Sequence, residues 1–230
     1  MSIMSMKFKY FVCIVTFILA ATPLSGVSKI TNSFPAKIES KTLSPSTGKQ
    51  LNPRVLELAV KAHKKANSMG IPKKPLLTII DYSKPSSEKR LWVVNMNSGK
   101  VMYHTHVAHG SGSGNNKAER FSDNHGSHQT SIGVFVTGKT YQGKHGTSLT
   151  LHGLEKGING NAARRAIVMH SAHYVSDSMI KSTGRLGRSW GCPALNPKDA
   201  KPIIGSIKEG SLVFAYYPDN KWLNKSQFLI

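Results

Sequence analysis

Pro75 separates two kinds of hydrophobic pattern, and that separation limits the possible folds more than any other feature of the chain. Before it, Val55, Leu58, Ala59 and Ala62 recur at helical spacing. Asn52 is a good N-cap, Pro53 suits the first helical position, Lys64 and Lys65 suit the last turn, and Gly70 can stop the helix, so a helix is predicted over 53–69. After Pro75 the apolar residues come in short β-branched and aromatic runs between turn residues. These predict strands at 76–81, 90–96, 100–108, 132–137, 148–151, 166–170 and 212–217, with Asn97-Ser98-Gly99 closing a hairpin. Short helices are expected at 162–165 and at 197–207, the latter capped by Asn196 with Pro197 first. No internal repeat is visible. The expectation is a mainly β domain with one helix in front and short helices between strands.

The first 26 residues read as an export signal. Lys7 and Lys9 form a basic start, residues 10–21 are an apolar run short for a bilayer span, and small and turn residues follow to Gly26. An uncleaved anchor is the alternative. Cys13 lies in the apolar run without a lipobox pattern and would leave with the signal. Residues 27–50, rich in Ser, Thr, Lys and Pro, read as a flexible linker, followed by the helical segment at 51–74 and a catalytic domain at 75–230. The expected location is the periplasm or the cell wall.

Losing Lys7 and Lys9 lowers the formal charge from +20 to +18, since residues 1–26 contain no acid. Such a surface favours anionic polymers. Outside the cytoplasm nucleic acid is scarce, so the expected partners are wall or envelope polymers rather than nucleic acid. Charge that serves only solubility is the bland alternative.

Export leaves Cys192 as the single cysteine. In an oxidising compartment structural cysteines come in pairs, so a lone thiol points to catalysis before it points to a disulfide. Cys192 sits in Gly187-Arg188-Ser189-Trp190-Gly191-Cys192-Pro193, twenty-two residues after His170, which ends the apolar run Ile167-Val168-Met169. A thiol needs a neighbouring base or positive charge to act as a nucleophile, and His170 on a rigid strand is the natural base. Gly191 lets backbone approach a substrate closely, and the Gly191 and Cys192 amides are candidate oxyanion donors; Pro193 has no amide hydrogen. A buried structural cysteine and a satisfied strand-end histidine are the bland readings of each residue taken alone.

Residues 166–196 resemble the YkuD-like L,D-transpeptidase catalytic domain family through Ile167-Val168-Met169-His170-Ser171-Ala172-His173-Tyr174 and Gly184-Arg185-Leu186-Gly187-Arg188-Ser189-Trp190-Gly191-Cys192-Pro193. The resemblance extends back through Val107-Ala108-His109-Gly110, Ser131-Ile132-Gly133-Val134-Phe135 and Gly143-Lys144-His145-Gly146, covering roughly residues 75–217, and is narrowest to the murein L,D-transpeptidase branch. It implies a β-sandwich with the site at one end. Most of the family carries Ser-His-Gly-Cys, whereas here the histidine is replaced by Trp190. An indole cannot accept the thiol proton, so the resemblance assigns the base to His170, with His173 in reserve; strand alternation would place His173 on the opposite face.

The implied chemistry is acyl transfer on peptidoglycan stem peptides. The Cys192 thiolate would attack the carbonyl between meso-diaminopimelate and the terminal D-Ala, and an amine from a second stem or a D-amino acid would resolve the thioester. A protein acceptor is also open, and water as acceptor would make a carboxypeptidase. Acylation by carbapenem-type β-lactams is implied as well. Rival readings are a wall thiol hydrolase such as an endopeptidase, and a noncatalytic wall-binding protein. Arg188 and Arg185 are candidates to clamp a substrate carboxylate. Ser189, Trp190, Tyr174, His173, Lys144 and His145 are candidates to shape the groove.

Ten histidines raise the question of a metal. His104-x-His106-x-x-His109 places imidazoles close together, but there is no His-Glu-x-x-His pattern and no cysteine pair. Gly110-x-Gly112-x-Gly114 lacks the Lys-Ser/Thr of a phosphate loop. No metal and no cofactor is expected.

Overall fold

The structure, a computed structural model, describes residues 51–230, so the expected signal and linker lie outside the described residues. The chain runs α1 (Pro53–Ser68), β1 (Leu76–Asp81), β2 (Leu91–Asn95), β3 (Val101–Thr105), a short 3-10 turn (Ser111–Ser113), β4 (Gly133–Gly143), β5 (Gly146–Gly153) and β6 (Val168–Ser171). It continues with α2 (Asp177–Thr183), β7 (Ala194–Leu195), α3 (Pro197–Ile207), β8 (Leu212–Tyr216) and α4 (Asn220–Leu223). None of the described helices is long and apolar enough to cross a membrane.

Eight strands form one sheet in the order β3-β2-β1-β8-β4-β5-β6-β7. Its centre is apolar on both faces. Leu77, Ile79, Trp92, Val94 and Phe214 point into a core closed by α1 and by Trp222 and Phe228 near the C-terminus. Their neighbours Leu76, Ile80, Leu91, Val93 and Val213 enter a second core with Leu149, Leu151 and Met169 of β5 and β6 and Ile203, Ile204 and Ile207 of α3. The far end of the sheet therefore folds back over the near end, which is the expected mainly β sandwich with a preceding helix. Burial on both sides explains why these strands read as near-continuous apolar runs.

Local chemistry sets the ends of the elements. The Asn52 and Asn196 side chains accept the amides of Arg54 (2.8 Å) and Lys198 (3.0 Å), capping α1 and α3. Asn95 Oδ1 accepts from the Asn97 amide at 2.9 Å, and Gly99 takes φ +69° to close the β2–β3 hairpin. Two expectations change outright, and β7 is a strand the sequence did not predict. Residues 162–165 form turns rather than a helix. The strand expected at 100–108 stops at Thr105, beyond which Ala108 pairs with Ala194 instead. The two-residue β7 was too short to show an alternation.

Glu155 joins the C-terminal segment to the sheet. Its buried carboxylate accepts from the Val134 amide (2.7 Å), from Trp222 Nε1 (3.1 Å) and from Ser226 Oγ. Replacing Glu155 with Ala strands three buried donors, so Glu155→Ala is expected to lose about 3 kcal/mol of unfolding free energy in urea titration; an unchanged midpoint would contradict this role.

Candidate active site

The pairing of β6 with β7 brings the two distant motifs together. His170 lies opposite Ala194 in this parallel ladder, and the Ala172 amide donates to Leu195 O at 2.8 Å. Cys192 immediately precedes β7, so the strand that carries His170 and the loop that carries the thiol are neighbours. On its other side the loop is tied to residues 108–111. The Ala108 amide donates to Ala194 O (2.9 Å), Ser189 to His109 O (3.0 Å) and Ser111 to Ser189 O (2.8 Å).

Gly191 is required by this close approach. It adopts φ +118°, and a Cβ there would lie 2.8 Å from Gln129 O; a Cβ on Gly110 would lie 2.7 Å from Gly191 Cα. The Gly191 amide is not free for an oxyanion, since it donates to Ser189 Oγ at 3.1 Å, and that hydroxyl donates to Cys192 O at 2.7 Å. The pair of amide donors expected from sequence is thus reduced to that of Cys192.

Cys192, His170, Lys144, His145, Tyr174, Arg188, Ser189 and Trp190 all border one cavity of about 410 Å³. The partly exposed Cys192 sulfur accepts from the Val168 amide at 3.5 Å and lies 3.6 Å from Ala166 O. Burial raises its pKa, against the opposing pull of the Val168 amide and of the cations Arg165 and Lys144. His170 is buried, and its Nδ1 lies 2.8 Å from Ser171 O. A carbonyl only accepts, so Nδ1 carries the hydrogen and Nε2 the lone pair. Burial, His145 and Lys144 lower the His170 pKa while the Ser171 bond raises it. The thiol and the imidazole are therefore both neutral at rest.

The β4–β5 hairpin and Trp190 flank the cavity. The His145 ring stacks on His170 at 4.5 Å between centroids, and Lys144 Nζ lies 5.7 Å from the centre of the Trp190 ring. Trp190 is 70% exposed and stacks on His128 at 4.8 Å. Burial pushes the Tyr174 pKa up to about 12, with the nearby Cys192 adding to the shift. Arg188 Nη1 donates to Gly114 O (2.9 Å) and Asn115 Oδ1 (3.0 Å), leaving its other N–H groups for a ligand. His173 is exposed in a turn and does not line the cavity, and Arg185 is also absent from the lining.

Two arginines carry more of the site than sequence reading suggested. Arg165 also borders the cavity, and its guanidinium donates to Gln129 O (2.7 Å) and Ser127 Oγ (3.1 Å). Arg90 is fully buried and donates to Val107 O from Nε (3.1 Å) and Nη2 (3.0 Å), and its Nη2 lies 2.8 Å from His109 Nδ1. Neither position has a motif signal; the run of turns before Ala166, itself at φ +54°, was read as helix. Of the expected histidine cluster, His104 stacks on Trp92, His106 approaches Ser87 O and His109 meets Arg90. Among the described residues no group of three or more His, Cys, Asp or Glu is arranged to hold a metal.

The sequence model of the L,D-transpeptidase catalytic domain matches residues 47–216. No curated protein matches the chain. Among solved structures, the chain is similar to an L,D-transpeptidase from Mycobacterium smegmatis at 14% identity and TM-score 0.38, covering 62% of this chain and 59% of that one. It is also similar to one from Stackebrandtia nassauensis at 18% identity and TM-score 0.38, covering 71% and 68%. A third, from Xylanimonas cellulosilytica, has 14% identity and TM-score 0.36, covering 69% and 77%. The chain thus spans less than two thirds of the first of these.

The strain at Gly191 gives a direct test. Gly191→Ala forces a Cβ onto the Gln129 carbonyl, and the thiol must shift with the loop, so any reaction that depends on the Cys192 thiol is expected to slow about 100-fold while circular dichroism stays native. An unaltered rate would show that the loop tolerates the side chain.

Proposed function

The chain belongs to the L,D-transpeptidase catalytic domain family, and on that premise we propose that it catalyses cysteine-dependent acyl transfer on peptidoglycan stem peptides, with Cys192 as nucleophile and His170 as base. The observation that carries this reading is that Cys192 and a His170 with its Nε2 lone pair free border the same cavity. As Sγ bonds to the carbonyl carbon of the diaminopimelate L-centre, the thiol proton passes to His170 Nε2. The C–N bond to D-Ala then breaks, and the imidazolium returns the proton to the departing amine, leaving a thioester on Cys192. An amine from a second stem attacks that carbonyl and gives its proton to His170; the C–S bond breaks, and the 3–3 link and the free thiol remain. A D-amino acid would take the same route to exchange the terminal residue. The Cys192 amide is the nearby donor left for the oxyanion, with Gly191 and Ser189 fixing the loop. Lys144, Arg188 and Arg165 surround the cavity with positive charge suited to stem carboxylates, and Trp190, Tyr174 and His145 shape it.

The protein would act outside the cytoplasm, in the periplasm or cell wall, where the basic surface would meet anionic polymers. The signal pattern of residues 1–26 supports that placement. Wild-type protein incubated with a carbapenem is expected to gain the mass of one adduct, and in a separate incubation without carbapenem to release D-Ala from tetrapeptide and form a 3–3 dimer. Cys192→Ala is expected to do none of these. Product formed by Cys192→Ala would remove the thiol from the mechanism, and fragments without new bonds from wild type would favour the hydrolase reading.

The electrostatics also predict a pH profile. His170 must be neutral to accept the proton, and its lowered pKa places the acid limb of kcat/KM below the ordinary imidazole value of ~6.5. The raised thiol pKa predicts that iodoacetamide labelling of Cys192 in a His170→Ala variant accelerates only above the ordinary thiol range of ~8.5. A labelling midpoint below neutrality would instead indicate a resting thiolate.

A further inference from the structure

Arg188 forms a wall shared by the catalytic cavity and a second concavity of about 520 Å³. Lys117, Arg120 and Arg188 line this second space with the amides Asn115 and Asn116, against a single acid, Glu119. Among the described residues, the ion pairs join Arg54 to Glu57, Lys84 to Glu88 and His106 to Asp177, so none of the three lining cations is neutralised by a carboxylate.

The walls are held in place before any ligand arrives. The Glu119 and Arg120 amides both donate to Ser113 O, at 2.9 and 3.1 Å, and Ser113 Oγ accepts from the Thr130 amide at 2.8 Å. Gly114 takes φ +149°, where a Cβ would lie 2.2 Å from Lys117 O, so the loop closes tightly on itself. Asn116 Oδ1 accepts from Ser86 Oγ (3.0 Å) and the Ser87 amide (3.1 Å), which fixes its side chain. Arg120 Nε donates to Gly112 O at 3.3 Å, leaving its two terminal nitrogens available. A concave, polar, cation-lined space concentrates anions, and guanidinium groups match carboxylates in geometry.

We propose that this concavity is a carboxylate-binding subsite for the acyl acceptor. The inference rests on the thioester reaction proposed above. With the donor acyl group held at Cys192, the incoming amine must approach from beside the occupied cavity, and the cationic space lies next to it, with Arg188 lining both and Ser111 of the one bonded to Ser189 of the other. Both acceptor classes, a second stem peptide and a free D-amino acid, carry a carboxylate in the molecule that supplies the amine. Arg188 thereby faces the donor on one side and the acceptor on the other.

The test separates the two half-reactions in Lys117→Ala/Arg120→Ala, whose altered side chains are exposed. Acylation by carbapenem and D-Ala release in a single turnover are expected to match wild type. The KM for acceptor is expected to rise at least about fivefold and to lose its dependence on salt, with thioester diverted to water. Lys117→Arg/Arg120→Lys, which keeps both charges, should recover most of the loss. Assaying dimer formation and D-amino acid exchange side by side distinguishes the sources: a defect in dimer formation alone assigns the subsite to stem peptides, and a defect in both assigns it to either carboxylate. A wild-type thioester with unchanged acceptor KM in the double variant overturns the subsite alone. A wild type that forms no thioester overturns the proposed reaction, and the subsite with it.

Discussion

A buried cation organises the catalytic end of the molecule. Arg90 has no carboxylate within its hydrogen-bonding shell, yet it is fully buried; it instead donates to Val107 O and Lys84 O, meets His109 Nδ1 and lies 5.0 Å from the centre of the Tyr82 ring. Burial lowers its pKa to about 10, which still leaves it charged at neutral pH. Burial, then Arg90, lowers the His109 pKa to about 4, so His109 is neutral and its Nδ1 is an acceptor. The segment gripped in this way, residues 107–109, is the one whose Ala108 and His109 bond to Ala194 and Ser189. Removing one partner from such a group leaves a charge without compensation, so the position of the thiol loop depends on an interaction well away from the sulfur.

That rigid loop bears on the electrostatics of the cavity. Burial keeps Cys192 protonated and His170 neutral, so at rest no ion pair has to be stabilised. In the proposed reaction charge appears only when a substrate presents a carbonyl and the proton moves. The cations around the cavity would then act on the developing thiolate and oxyanion, while a carboxylate substrate would offset their mutual repulsion. Holding His170 Nδ1 against its own strand's Ser171 carbonyl sets the tautomer without a carboxylate partner.

Much of this was legible in the sequence, for identifiable reasons. β1 and α3 carry strong local signals, an apolar run interrupted only by Thr78 before Asp81 and an Asn-Pro cap, and they form at the expected residues. The two motifs around His170 and Cys192 are specific enough to bring out the family. Less visible were features defined by partners distant in sequence. β7 exists because His170 and Ala108 flank it, and Arg90 is held by carbonyls, His109 and Tyr82, partners that no local pattern announces. Residues 162–165 look helical because Ala and Arg favour helices, but Asn161 is tied by Asp123, whose carboxylate accepts the Asn161 amide at 3.0 Å, and the chain turns instead.

Trp190 follows from the same distinction between local pattern and spatial context. Tryptophan two residues before Cys192, where the resemblance expects a histidine, looks like lost chemistry if the residue is judged by its place in the chain. In the fold its side chain is largely exposed and stacked on His128, while the imidazoles that border the cavity with the thiol are His170 of β6 and His145 between β4 and β5. With His170 as the proposed base, tryptophan at 190 leaves that imidazole at the cavity. An indole offers a broader apolar face than an imidazole and holds Lys144 near that face, which adds positive charge to the rim. Tryptophan at 190 thus adds an apolar face to the rim, and leaves the proposed proton path to His170 in place.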